Sequence, residues 1–472
     1  MTHYLSTRGE TQKLGFSDVM LAGLARDGGL YVPEIWPQLP PDTIAGFFGR
    51  PYWEVAVEVV QPFMAGDIAE ADLGRMANEA YAMFRHPAVV PLDQIGPQQF
   101  MQELFHGPTL AFKDVAMQLL SRLMDHVLAQ RGRRTTIVVA TSGDTGGAAV
   151  HAFANSANVD LIVLFPDSRI SAVQRRMMTT TAAPNVHALA VKGTFDDRQA
   201  IVKGLFNNHR FRDEVSLSGV NSINWARIVA QVVYYFTSAV SLGAPGRKVS
   251  FAVPTGNFGD VLAGFVAKRM GLPIERLLIG TNSNDILART LESGVYEMKG
   301  VHATTSPSMD IQISSNFERL LFETHGRDSA AVRRLMQSLQ QSGRFEIAEG
   351  PLAAIRSEFD AVGIDEAATS AEIGRIWREA GYLLDPHTAV GVAAARGGLA
   401  KDPATPMIVL GTAHPAKFPA AVKAASGVTP ALPAHLADLM ERQERFTLLP
   451  NDQSAVEAFV RAKARAVRGV AA

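Results

Sequence analysis

The chain has 472 residues, 47% of them hydrophobic and 19% charged, and its 45 basic and 46 acidic side chains nearly cancel. This length exceeds the ~250–300 residues at which single cores stop growing, so more than one domain is expected, and the balanced charge offers no field that would draw the chain to nucleic acid. The absence of cysteine excludes disulfides, thiolate nucleophiles and Cys-ligated zinc or iron–sulfur clusters, and no metal-ligand set is predicted from the other side chains.

Residues 1–90 hold few strand-like runs and two proline-rich breaks, at 33–41 and 87–91, and predict a mainly helical N-terminal region. The opening MTHYLSTRGETQKLGF lacks the basic and apolar segments of a secretory signal. No later stretch reaches the ~18 apolar residues of a membrane span, so a cytoplasmic location without a membrane is expected. The run LFHGPTLAFKD at 104–114 then places Lys113 behind Leu110, Ala111 and Phe112 and ahead of a helix-like segment. An apolar setting lowers the pKa of a lysine and frees its neutral amine for Schiff-base chemistry, although an amphipathic lysine with an exposed head has the same local sequence.

From about 135 onward, short β-branched runs alternate with helical patterns, the signature of parallel α/β structure. Strands are predicted at 135–140, 160–165, 186–191, 248–253, 276–281 and 406–411, with helical spacing at 144–157, 222–240 and 260–270. Residues 91–472 read as one catalytic region of two α/β subdomains, the smaller at about 130–245, with a polar, helix-rich insertion at about 327–380.

Two of these strands run into glycine-rich turns followed by helices. The first turn contains Ser142, Gly143, Asp144, Thr145, Gly146 and Gly147; the second contains Thr255, Gly256, Asn257, Phe258, Gly259 and Asp260. Glycines serve tight turns in any fold, but free N–H groups at a helix N-terminus also favour an anion, and here the arrangement occurs twice. Neither GxxxxGK[ST] nor GxGxxG is present, so the residues for those two nucleotide-binding motifs are missing. A phosphorylated cofactor and an amino acid carboxylate supply one anion each. Pyridoxal 5'-phosphate needs a lysine for its aldehyde as well as a phosphate site, which joins Lys113 to the two turns. Thr412, after the strand at 406–411, stands where a hydroxyl can meet a cofactor ring nitrogen.

The combination of FHGPTLAFKD, ATSGDTGGAAV, PTGNFGDVLAG and GTAHPAKFP resembles the threonine synthases of the bacterial and fungal type, with support from DGGLYVPE, NSINWARI, MDIQISSNFERL and LLDPHTAVGVAAA. The likeness covers about residues 4–420 in the family's order. It implies the fold type II pyridoxal-phosphate architecture, an α/β fold like that of the tryptophan synthase β chain. By resemblance, Lys113 holds the cofactor as a Schiff base, Gly256, Asn257, Phe258, Gly259 and Asp260 cradle its phosphate, and Thr412 meets its pyridine nitrogen. Ser142, Gly143, Asp144 and Thr145 are left for the substrate, and Arg227 and Lys417 are the candidate cations for its phosphate, although either fits a structural ion pair equally well. Many fold type II relatives carry Asn where this chain has Asp144, which leaves the partner of the cofactor's 3-hydroxyl open. The implied reaction turns O-phospho-L-homoserine and water into L-threonine and phosphate. A related fold type II lyase or dehydratase, or a cofactor-binding scaffold without turnover, would use the same residues. The expected partner is this small substrate, and the expected assembly a monomer or homodimer.

Overall fold

The computed structural model describes residues 2–141, 143–166, 170–193 and 195–468, apart from the side chains of Phe195, Asp196 and Arg468. β-branched runs buried on both faces build two sheets, as parallel strands covered by helices require. The larger sheet runs, in spatial order, Phe359–Gly363, Ile274–Thr281, Val249–Pro254, Met407–Gly411, Gln99–Glu103 and Leu92–Gly96. All its pairings are parallel except the last. Its register sets Ile279 beside Val253, and Val409 between Ala252 and Met101. The smaller sheet is parallel throughout, in the order Thr447–Leu449, Val186–Val191, Val159–Pro166, Thr135–Ala140 and Leu217–Ser218.

Helix Trp225–Ser241 is buried on almost every side and packs against helices Lys113–Gln130, Gly259–Arg269 and Tyr52–Met64. A helix apolar all round belongs in an interior, and this one ties the N-terminal helices to the core between the sheets. No described helix is long and apolar enough to cross a membrane.

The six predicted strands lie within a residue or two of those observed, while several others escape the sequence pattern. The N-terminal region adds to its helices an antiparallel pair, Tyr4–Ser6 with Tyr31–Pro33. Residues 327–380 contain helices Ser329–Ser342, Glu349–Glu358 and Glu366–Ala380, but their strand Phe359–Gly363 also extends the larger sheet beside Ile274–Thr281. FDAVG is too short and too polar to stand out, and a parallel edge strand needs only one neighbour. Leu92–Gly96 and Gln99–Glu103 were hidden for the same reason, since one carries exposed Asp93 and Gln94 and the other interleaves three polar residues.

Candidate active site

Thr141, Thr255, Leu104 and Thr412 each follow the carboxyl end of a parallel strand, the place where open α/β sheets bind ligands. Lys113 is brought there by a tightly knit loop. Thr109 donates to Asp114 through its backbone N–H and its hydroxyl, both at 2.7 Å. Leu110 adopts φ +59°, a left-handed conformation that a bulky side chain seldom takes, and Phe112 N donates to Thr412 O at 2.9 Å. Lys113 is buried, with its Nζ 3.5 Å from Asp144 Oδ2 and 4.5 Å from the centre of the Phe112 ring. Burial lowers the pKa of this amine; Asp144 pulls it back up, and Lys417 and Arg227 push it down again.

The turn at 255–260 has its carbonyls drawn outward. Ser314 Oγ donates to Gly256 O at 2.7 Å, while Asn316 donates to Asn257 O through both its backbone N–H and its side-chain amide. Phe258, at φ +63°, turns the chain into helix Gly259–Arg269. Among the described residues, the backbone N–H groups of Gly256, Asn257, Phe258, Gly259 and Asp260 have no protein acceptor. Carbonyls tied back and N–H groups left free at a helix N-terminus form an anion cradle. The Asp260 carboxyl takes no part in it: Tyr234 and Tyr235 donate to its Oδ1 at 2.5 and 3.1 Å.

The turn at 141–147 is more occupied. Thr141 Oγ1 accepts from Gly143 N and Gly146 N at 2.9 and 3.0 Å, so Gly143, expected as a donor to substrate, has already spent its N–H. Thr145 and Asp144 have no acceptor for theirs among the described residues, outside which Ser142 lies. The Asp144 carboxylate is buried and fully engaged. Lys417 Nζ stands 2.8 Å from Oδ1, Gln174 donates to the same oxygen at 2.9 Å, and Ser308 Oγ donates to Oδ2 at 3.4 Å. Burial works to raise this carboxyl, but Lys417 and Lys113 outweigh it and hold its pKa well below the usual carboxylate range. Lys417, expected as a cation for the substrate phosphate, is therefore paired within the protein.

Arg227 differs from Lys417. Its guanidinium is buried, donates from Nη1 to Val220 O at 3.1 Å, leaves Nε without a partner and faces no carboxylate among the described residues. Burial lowers its pKa to about 10, so it still carries its charge at neutral pH. The Thr412 hydroxyl is likewise buried without a hydrogen-bond partner among the described residues, although its backbone N–H is held by Thr388 Oγ1 at 3.1 Å. These two orphans and the free N–H groups at 256–260 are what a phosphorylated pyridine cofactor beside a second anion would satisfy.

Other polar residues of the quoted motifs brace the site. Arg319 donates to the carbonyls of Tyr31 and Ile223, and Glu318 accepts from Thr7 and Arg8. His414 caps its own turn by accepting from Ala416 N, and burial takes its pKa down to about 4. Sequence reasoning missed Ser308, Gln174 and the pair Asp385–His387. His387 Nδ1 lies 2.9 Å from Asp385 Oδ1, and its Nε2 accepts from Ser308 N at 3.2 Å. The Asp-Pro-His run, an N-cap followed by proline, was the available signal.

Comparison with known proteins agrees along the whole chain. Residues 3–81 match the family described as Threonine synthase N terminus, 89–411 match Pyridoxal-phosphate dependent enzyme, and 388–460 match Threonine synthase, C-terminal. A threonine synthase of Pseudomonas aeruginosa is 52% identical over 97% of each chain. The crystal structure of a pyridoxal-phosphate-bound threonine synthase from Brucella melitensis is 63% identical, with TM-score 0.95 over 98% of this chain and 100% of that one. The yeast threonine synthase structure is 38% identical, with TM-score 0.92 over 98% of both chains.

Proposed function

Because the chain belongs to the threonine synthase family of pyridoxal-phosphate enzymes, we propose that it converts O-phospho-L-homoserine and water to L-threonine and phosphate through the residues described above. When bound, pyridoxal phosphate supplies the electron withdrawal that acidifies the substrate's Cα and Cβ protons. Lys113, a buried amine with a lowered pKa, would hold the cofactor, and its amine would move the protons at Cα and then Cβ. Phosphate leaves from Cγ, which takes up a proton to become the methyl group, water adds at Cβ, and a proton returns to Cα. The free N–H groups of Gly256, Asn257, Phe258, Gly259 and Asp260 would hold the cofactor phosphate, and the Thr412 hydroxyl would donate to its pyridine nitrogen. Thr145 and the rest of the 141–147 turn orient the substrate carboxylate.

The observation that carries a phosphorylated substrate, rather than a merely hydroxylated one, is Arg227. A buried guanidinium without a carboxylate is costly unless an anion arrives to meet it. The same reading takes 1–90 as an N-terminal unit joined to a catalytic region of two subdomains. It makes the enzyme a cytoplasmic monomer or homodimer without nucleic acid or membrane partners.

The test is incubation of the purified protein and cofactor with O-phospho-L-homoserine, followed by amino acid and phosphate analysis. Threonine in step with phosphate is expected; phosphate accompanied by a keto acid would make it a lyase that stops after elimination. Borohydride should fix the cofactor covalently to Lys113, and turnover should vanish in Lys113→Ala. A label on another lysine, with turnover retained in that variant, would refute the assignment.

A further inference from the structure

Lys417 has three ammonium protons and only two acceptors. It is wholly enclosed, its Nζ donates to Thr109 O at 2.8 Å and pairs with Asp144 Oδ1 at 2.8 Å, and no third acceptor is present among the described residues. An enclosed charged donor left unmet is costly, so the open proton points to a missing acceptor. Asp144 links this ammonium to the reactive lysine, with Lys417 on Oδ1 and Lys113 on Oδ2. On pyridoxal phosphate, the 3-oxygen is attached next to the carbon that bears the aldehyde. Groups clustered at the Lys113 nitrogen therefore border that oxygen.

We propose that Lys417 binds the cofactor's 3-oxygen and holds it as an anion, while Asp144 serves to hold Lys417 in place. The proposal rests on Lys113 as the cofactor's lysine. Asp144 is a poor direct partner, because Gln174 and Ser308 fill its remaining hydrogen-bonding positions and because a carboxylate beside an anionic oxygen is repulsive. With Lys417 between them the charges close. Asp144 and the 3-oxygen are negative, and Lys417 and the protonated nitrogen joining the cofactor to Lys113 are positive. A neutral amide at position 144 would meet the oxygen directly and need no such cation, which accounts physically for an aspartate and a buried lysine occurring together.

The 3-oxygen and the joining nitrogen compete for one proton. A cation at the oxygen sends the proton to the nitrogen and gives the visible absorbance band; loss of the cation returns it to the oxygen and moves absorbance to the near ultraviolet. The experiment is a pH titration of the holoenzyme spectrum in wild type, Lys417→Met and Lys417→Gln. Glutamine retains an N–H donor for Thr109 and Asp144 but carries no charge, so a merely structural role would be rescued by it. The ratio of visible to near-ultraviolet absorbance should fall about tenfold in both variants, the change that one pKa unit brings. A wild-type ratio in Lys417→Gln, with borohydride still labelling Lys113, would overturn the proposal. A wild-type holoenzyme without any visible band would remove the premise about Lys113, which is a separate failure.

Discussion

Two glycine-rich turns each deliver an aspartate into the first turn of a helix, and the two buried carboxyls acquire opposite character. Asp144 begins helix Asp144–Phe153, and Asp260 is the second residue of Gly259–Arg269. Burial works to raise both. At Asp144 the cation of Lys417 outweighs it, whereas the Asp260 side chain among the described residues meets two tyrosine hydroxyls, leaves Oδ2 unpartnered and is pushed up to about 6. The backbones differ in a parallel way, since the turn beside Asp260 leaves its N–H groups free and the turn beside Asp144 has given two of them to Thr141. Similar local sequences specify similar turns; the charge inside each turn comes from whatever a distant part of the chain brings to it.

The largest effect should follow from putting a second carboxylate into the freer turn. A Cβ at Gly256 would lie 2.9 Å from Ser308 O, so Gly256→Asp strains the loop and also sets a negative charge against the cofactor phosphate. Cofactor affinity, followed by absorbance titration, should fall on the order of 100-fold or more; wild-type loading would break the assignment of this turn. Next comes Arg227→Gln, which removes charge-assisted hydrogen bonds worth ~1.5–3 kcal/mol and should raise KM for the phosphorylated substrate about 10–100-fold at full cofactor occupancy. An unchanged KM would mean that the orphan guanidinium serves something else.

Smaller effects sharpen the contrast. Thr145→Ala, in the other turn, should cost ~0.5–1.5 kcal/mol of substrate binding and raise KM about 2–10-fold while cofactor remains bound. Cofactor loss with KM preserved would show that the two turns have exchanged roles.

Asp260→Asn tests the raised carboxyl. Between its ordinary pKa of 3.8 and about 6 the folded chain holds a proton that the unfolded chain has lost. Wild-type stability must therefore fall as pH rises through that window and stay lower above it. The asparagine has no such proton to lose, so its Tm relative to wild type should rise by roughly 1–2 degrees between pH 5 and pH 8. A difference in Tm that is the same at both pH values would place the carboxyl back in the ordinary range.

What the sequence revealed is what it encodes locally. TTIVVA and KVSFAV carry the β-branched runs of buried strands, and the glycines behind them mark the turns, so both turns could be located before any packing was known. Lys113 stood out through its apolar neighbours together with those turns. The pairing of Asp144 with Lys417 was not legible, because the two meet only once the sheets are assembled, and nothing local to Lys417 tells a structural ion pair from a cation for the substrate phosphate. The Thr412 hydroxyl and the Arg227 Nε, both without a partner among the described residues, are statements about missing partners, which no local pattern contains. Strand Phe359–Gly363 remained hidden because its neighbour, not its composition, makes it a strand.

The order of strands in the larger sheet has a consequence for how the protein is made. Met407–Gly411 lies between Val249–Pro254 and Gln99–Glu103, so the early strand pair Leu92–Gly96 and Gln99–Glu103 has no bond to the rest of the sheet until the late strand is inserted. At ribosomal speeds of ~5–20 residues per second, the roughly 300 residues between Glu103 and Met407 take about 15–60 s to emerge. Throughout that interval the edge of Gln99–Glu103 awaits the missing strand, and for about its second half the edge of Val249–Pro254 awaits the same one. Unpaired edges of this kind invite association with other chains, so the nascent protein is exposed to aggregation for most of its synthesis and closes its catalytic sheet only near the end.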